Sequence, residues 1–232
     1  MTKKNLLIII PARSGSKGIK NKNIKKLKSK PLIYYSIRIA KKIKEKNKTI
    51  FCSTDSIKIK NIIKKFNIKV PFLRPKNISK DLSTDITFVN HALKRFSDAK
   101  IFFKIGLILR PTSPIRDLKN IEKAYKIFKK SNSSSIRAIC LAPSSPYRMW
   151  KLNRGNFIKP LLRTKYYEHY NMPRQELPKI YWQCGNFEFF KIQYKSKIKS
   201  ISGNNIMGYI LDGEETSDID DVNDFKYVEK LI

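Results

Sequence analysis

The stretch NLLIIIPARSGSKGIKNKN, residues 5–23, decides how the chain is read. NLLIII is a short apolar run, right for a buried strand and too short for a helix of its own. Pro11 ends it, and a loop follows in which Gly15 and Gly18 lie among Arg13, Lys17, Lys20 and Lys22. Glycine lets a backbone come close to a ligand, and arginine and lysine supply the charge that an anion needs. In an open α/β sheet, ligands sit beyond the carboxyl ends of the strands. A strand emptying into such a loop therefore reads as a phosphate cradle. The loop is not a Walker A motif, because no GK[S/T] follows at the required spacing, and it is not GxGxxG. A solvated turn in a lysine-rich chain is the plain alternative.

Further along, short apolar runs alternate with amphipathic segments. PLIYYSIRIAKKIK, with Pro31 suited to a first helical turn, predicts a helix. TIFCST predicts a strand, and DSIKIKNIIKKF a helix capped by Asp55 or Ser56. VPFLR at 70–74 reads as a short strand, STDITFVNHALKRF as a helix with Ser83 or Thr84 near its cap, and IGLILR as a strand. DLKNIEKAYKIFKK and SSIRAICLA add a helix and a strand. This βαβα order predicts an α/β fold with a mostly parallel sheet and helices on both faces. From about residue 143 prolines and tyrosines crowd in, so residues 143–180 read as an inserted flap or subdomain within a single domain spanning 1–232. IYWQCGNFEFF and IMGYIL return to strand character, and VNDFKYVEKLI closes as a helix. No internal repeat is visible.

The chain has 232 residues, enough for one large domain, and 41% of them are apolar or aromatic. No apolar run reaches the ~18 residues of a membrane span, and the start does not resemble a signal peptide, so cytoplasmic placement is the expectation. Cys52, Cys140 and Cys184 are odd in number and widely spaced, which suits buried apolar side chains rather than disulfides or zinc. The formal charge of +32 raises nucleic-acid binding as a reading. Lysine is spread along the whole chain, however, and a solvated basic surface explains it without a nucleic-acid partner. His91 lies on an amphipathic helix and suits packing; His169, in the tyrosine-rich stretch, suits a structural role, with a place facing the sugar as the lesser alternative.

The longer segment PARSGSKGIKNKNIKKLKSKPLIYYSI resembles the N-terminal signature of the acylneuraminate (sialic acid) cytidylyltransferase family. STD at 53–55, FLRP at 72–75 with the Asp81 and Ser83 region after it, RPTSPIR at 110–116, PRQELP at 173–178 and SDIDDVNDF at 217–225 resemble its later motifs, in order. The resemblance implies a three-layer α/β/α sandwich of the nucleotide-diphospho-sugar transferase type with a small dimerisation subdomain. It also implies transfer of CMP from CTP to a nonulosonic, sialic-acid-like 2-keto sugar acid, with release of pyrophosphate. Another nucleotidyltransferase of the same fold, using a different NTP or a sugar phosphate, is the alternative.

By the same resemblance Arg13, Lys17 and Lys22 hold the triphosphate, Asn23 and Arg74 contact the nucleotide, and Arg13, Lys22 and Asp220 serve the chemistry. Arg110, Arg174, Gln175 and Gln183 are the candidates on the sugar side. Asp218 and Asp220 match metal-binding aspartates and imply Mg²⁺. Read as a strand end, D-x-D would put both carboxylates on one face, as a hard cation requires; read without the family, it is a helix cap. Asp221 suits that cap, alone or with Asn223. Three positions depart from the family: Arg110 where glutamine is usual, Cys184 where asparagine is frequent, and Glu188 where an aromatic is usual. They cluster in the acceptor half, which leaves the nucleotide loop intact and the sugar's identity open.

Overall fold

The computed structural model describes residues 1–194 and 198–232. In chain order the strands are β1 (Thr2–Pro11), β2 (Lys26–Leu27), β3 (Lys30–Pro31), β4 (Lys48–Ser53), β5 (Ile101–Ile108), β6 (Ser135–Leu141), β7 (Trp150–Leu152), β8 (Ile158–Pro160), β9 (Tyr181–Lys191) and β10 (Ile206–Ile210). The α-helices are α1 (Ile33–Lys42), α2 (Ile57–Lys64), α3 (Asp85–Asp98), α4 (Leu118–Lys130) and α5 (Val222–Leu231).

Six strands form the central sheet in the order β10-β6-β9-β5-β1-β4. All pairings are parallel except those of β9, which runs antiparallel to both β5 and β6. β1 shows why this sheet forms. Leu6 to Ile10 are all fully buried, because a central parallel strand is covered on both faces and needs no polar alternation. Leu6, Ile8 and Ile10 enter one core with Ile37, Ile63 and Phe128 of α1, α2 and α4. Leu7 and Ile9 enter another, against Phe88, Val89 and Phe96 of α3. Three layers result.

A third core cluster positions the basic loop. Ile19 of that loop is buried with Leu27, Leu32, Ile219 and with Phe225 and Val228 of α5. The chain's last helix thus fixes its first loop. α5 starts with a capping box in which the Asp221 carboxylate accepts from the N–H groups of Asn223 and Asp224, and Asp224 bonds back to the Asp221 N–H. Asp221 is the cap that its position suggested, with Asp224 as its reciprocal partner. Ser56, not Asp55, caps α2, accepting from the Ile59 N–H.

Two expected strands are not strands. Residues 70–74 run as irregular chain. Pro71 and Pro75 lack N–H donors, and the Arg74 N–H reaches the Thr54 carbonyl by a single bond of 2.7 Å. Residues 217–220 are likewise irregular. They are tied across the sheet end by the Ile219 N–H, which donates to the Thr112 carbonyl at 2.9 Å.

Residues 143–180 contribute no strand to the main sheet. β7 and β8 make a separate two-stranded antiparallel ribbon, turned at Gly155 with φ 70°. His169 anchors the segment: Nδ1 lies 2.6 Å from the Tyr147 carbonyl oxygen and Nε2 3.2 Å from that of Leu162. It is buried, and its ring serves two backbone carbonyls, so the lesser alternative, a place facing the sugar, is not what the structure shows. His91 packs edge-on against Phe72, as expected. All three cysteines are free and buried.

Candidate active site

The carboxyl ends of β1, β4 and β5 open into a cleft of about 390 Å³. Arg13, Lys17, Lys22 and Asn23 line it from the basic loop, Arg74 from the segment after β4, and Arg110 from the end of β5. The six side chains expected on the nucleotide loop, at position 74 and at position 110 therefore converge on one space.

Short bonds set the loop's path. The Ala12 N–H donates to the Ser53 carbonyl, continuing the β1–β4 pairing by one residue. Ser14 then donates its N–H and hydroxyl to the two carboxylate oxygens of Asp55 at 2.8 and 2.6 Å. Asn23, buried, turns its amide back to the Arg13 carbonyl at 2.9 Å. Lys22 donates to the Ile219 carbonyl at 2.7 Å, and its Nζ lies 4.0 Å from Asp220 Oδ1. A Cβ on Gly18 would stand 2.5 Å from the Asp220 carbonyl oxygen, so only glycine permits this approach.

The cations are partly matched within the chain. Arg13 and Lys17 share the carboxylate of Asp81, at 2.6 and 3.0 Å. Hydrogen bonds from Lys17 and Arg13 hold Asp81 below the usual carboxylate range. Arg74 is buried, and burial brings its proton affinity down to about 10. It donates to the Ser53 hydroxyl at 3.0 Å and the Ser53 carbonyl at 2.8 Å, and its guanidinium lies 4.7 Å from the centre of the Phe88 ring.

Arg110 pairs through Nη2 with Asp85, in the first turn of α3, and with Glu188 Oε2 of β9 at 3.5 Å. Burial opposes its charge, but the two carboxylates outweigh burial and raise its proton affinity above the ordinary arginine value. Two positions where the chain departs from the family it resembles, 110 and 188, are thus partners in space. Arg116, the last residue of RPTSPIR, is buried beneath them. It donates to the Asn186 carbonyl at 2.7 Å, the Ser36 hydroxyl at 3.1 Å and the Arg110 carbonyl at 2.5 Å. Burial lowers its proton affinity to about 9. Sequence reading assigned no role to Asp85, Glu188 or Arg116. The motif around Arg116 was the one available signal.

Other candidates lie elsewhere. Arg174 and Gln175 line a separate recess beside Ala142, Ser145 and Pro178, at the outer end of β6. Gln183 accepts from Arg137 of the neighbouring strand. Asp220 lines the cleft, whereas Asp218 accepts from the Ser113 hydroxyl at 3.1 Å and from the Ile219 N–H. Among the described residues, no group of three or more histidine, cysteine or acidic side chains could hold a metal by itself. One exposed carboxylate beside a space lined with cations fits Mg²⁺ only where substrate phosphates supply further oxygens.

The chain is similar to known proteins both in sequence and in fold. The chain is 36% identical over 162 residues to a CMP-N,N'-diacetyllegionaminic acid synthase of Legionella pneumophila, covering 68% of this chain and 67% of that protein. It is 29% identical over 229 residues to a pseudaminic acid cytidylyltransferase of Campylobacter jejuni, covering 97% and 95%. In fold it matches CMP:2-keto-3-deoxy-manno-octonic acid synthetase complexed with CTP, with a TM-score of 0.69 at 14% identity over 98% of both chains. The family described as Cytidylyltransferase matches residues 7–149, and the chain belongs to that family.

Proposed function

We propose that the chain couples CTP to a nonulosonic 2-keto sugar acid, giving a CMP-sugar and pyrophosphate. The observation that carries this reading is the convergence of Arg13, Lys17 and Lys22 on a cleft whose other wall, at Arg110, is not part of the phosphate loop. The names of the relatives above support the substrate class.

In this reading the triphosphate lies along the loop of residues 12–23. A sugar hydroxyl attacks the α-phosphorus, an O–P bond forms, the bond to the β-phosphate bridging oxygen breaks, and pyrophosphate leaves while the hydroxyl proton passes to solvent. Negative charge builds on the phosphate oxygens, and fixed cations with loop N–H groups stabilise it without reorganising. Lys22 is held by the Ile219 carbonyl and so is oriented before substrate arrives. Asn23 fixes the Arg13 backbone. Asp220 would hold Mg²⁺ together with the triphosphate, and the ion would neutralise the phosphates and align them for in-line attack.

No helix among the described residues is long and apolar enough to cross a membrane. We place the enzyme in the cytoplasm, where CTP is made, and infer a homodimer through residues 143–180, because that segment exposes Trp150, Leu152, Phe157 and Ile158. Arg174 and Gln175 and most of their recess lie within that segment, which supports a sugar-side role for them in the assembled dimer.

The test is pyrophosphate release from purified protein with CTP, Mg²⁺ and a panel of nonulosonic acids including legionaminic, pseudaminic and neuraminic acids. Release is expected with at least one acid and not with CTP alone. Release with another NTP and a sugar phosphate, and with none of the acids, would overturn the reading.

A further inference from the structure

Four charged side chains run in series beside the cleft. Asp85 meets Arg110, Arg110 meets Glu188, and Glu188 Oε1 lies 2.6 Å from Arg137 Nη2 in β6. Glu188 is 2% exposed. A carboxylate buried to that degree persists only when paired, and here each oxygen faces a different guanidinium. The series holds two cations and two anions, so its net charge is zero. Within the series the charge of Arg110 is balanced by its own carboxylate partners, and it meets the cleft as a set of oriented N–H donors.

The geometry of Arg110 adds a second constraint. Both of its ion pairs use Nη2. Among the described residues Nε and Nη1 have no protein acceptor, and the residue lines the cleft. β5 lies between β1, which carries the cationic loop, and β9, which carries Glu188. Arg110 thus stands at the border between the phosphate side and the β9–β6 side. Arg116, through the Arg110 carbonyl, fixes the backbone beneath it.

We infer that Arg110 and Glu188 act as one unit that selects the acceptor. Glu188 holds the guanidinium in place, and the guanidinium's free edge donates to an uncharged oxygen of the acceptor, a hydroxyl or an acylamido carbonyl. It does not draw in the acid's carboxylate by charge. Arg110 is the specificity-determining residue and Glu188 its positioning residue. The inference rests on the proposed function and names the part of the acceptor read at this end of the cleft.

Steady-state kinetics with the best acid of the panel test it, on Glu188→Gln, Arg110→Gln, Arg110→Lys and the Glu188→Gln/Arg110→Gln double variant, with thermal unfolding measured alongside. Glu188→Gln is expected to raise the acceptor KM about tenfold while the KM for CTP stays within about twofold. Arg110→Gln should do the same, and the double variant should be no worse than either single one, because residues acting as a unit are not additive. Arg110→Lys keeps the charge and loses the fork, so it should resemble Arg110→Gln; it serves as the decisive variant if Glu188→Gln does not fold.

The sign of the Glu188→Gln effect separates the alternatives. Removing that carboxylate leaves the cluster with one net positive charge. If Arg110 draws the carboxylate by charge, the acceptor KM falls, and the inference is overturned. Additive losses, an unchanged acceptor KM, or a shift confined to CTP overturn it as well. A wild-type chain that releases no pyrophosphate with any acid overturns the proposed function together with this inference; an active wild type with any of the contrary variant results overturns this inference alone.

Discussion

A β-carbon at position 18 would stand 2.5 Å from the carbonyl oxygen of Asp220, so the basic loop and the segment before α5 touch backbone to backbone. Lys22, bonded to the Ile219 carbonyl, closes the same seam. Gly18→Ala must part the two segments, because a carbonyl oxygen cannot rotate away as a flexible side chain can. The expected outcome is a stability loss of about 1–3 kcal/mol, typical of overpacking. The KM for CTP should rise about tenfold as Lys17 and Lys22 move with the loop. Thermal unfolding and CTP titration of the rate check both. Wild-type kinetics in Gly18→Ala would show that the loop works independently of the 217–220 segment.

In the proposed reading Asp81 competes with substrate. Its carboxylate holds Arg13 and Lys17, two of the cations assigned to the triphosphate. CTP has to displace it, so Asp81→Asn should tighten CTP binding roughly threefold at low salt, with the gain shrinking as salt screens the charges. Calorimetric titration reads this directly. Weaker binding would mean that Asp81 orients the cations and does not oppose the ligand. The pair also has a pH signature. The folded carboxyl titrates below its ordinary value of 3.8, so the tie supports the folded loop above that pH and is lost as pH falls through the lower folded value. The hydrogen-exchange protection factors of residues 12–18, measured against intrinsic rates at each pH, should fall on acidification in the wild type, and much less in Asp81→Asn.

The sheet was legible because its strands are apolar runs whose burial needs no partner to be recognised. β6 and β10 fall within runs read that way, and β1, β4, β5 and β9 overlap theirs, β5 starting four residues earlier, at Ile101. Two short runs misled for opposite reasons. VPFLR has strand-like residues, but its flanking prolines deny it a ladder, and Arg74 turns to the end of β4. The D-x-D of 217–220 invites alternation, yet Ile219 alone is buried there and the backbone is tied to Thr112. The site was legible where charge lies in one loop. It was not legible where partners come from distant segments. Arg110 finds Asp85 from 25 positions away and Glu188 from 78, and nothing local in RPTSPIR announces either. In the sequence, positions 110 and 188 are separate departures from the family pattern, and only the antiparallel insertion of β9 beside β5 makes them one feature.

The two aspartates of D-x-D should separate under mutation. Asp220 lines the cleft, whereas Asp218 is bonded to Ser113 and sits under Gly185, where an added Cβ would be 3.1 Å from its Oδ2. Asp220→Asn is therefore expected to raise the Mg²⁺ concentration needed for half-maximal pyrophosphate release by about tenfold or more, since a weakened hard-oxygen site loses affinity for the ion. Asp218→Asn should act mainly on stability, at about 1–3 kcal/mol for disturbing a part-buried hydrogen-bonded carboxylate. Magnesium titrations and melting curves on both variants check this. A larger change in Mg²⁺ requirement for Asp218→Asn would put the ion deeper than the cleft edge and make Ser113 part of its surroundings.

The ribbon of β7 and β8 has too little core to hold itself. Leu152 is 70% exposed, Phe157 75% and Ile158 53%, and a two-stranded ribbon alone is marginal in water. Exposed apolar residues gathered on one projecting element mark an interface. If a second copy covers them, Phe157→Asp should weaken the dimer by roughly thirtyfold or more, the effect of removing a central apolar anchor. Sedimentation at several concentrations reads the association. The same variant should raise the KM for the sugar acid more than that for CTP, because Arg174 and Gln175 adjoin this segment while the basic loop lies on the other side of the sheet's switch in strand order. A variant that becomes monomeric and keeps its full acceptor affinity would detach assembly from the site, leaving the Arg110 side of the cleft to read the acceptor within one chain.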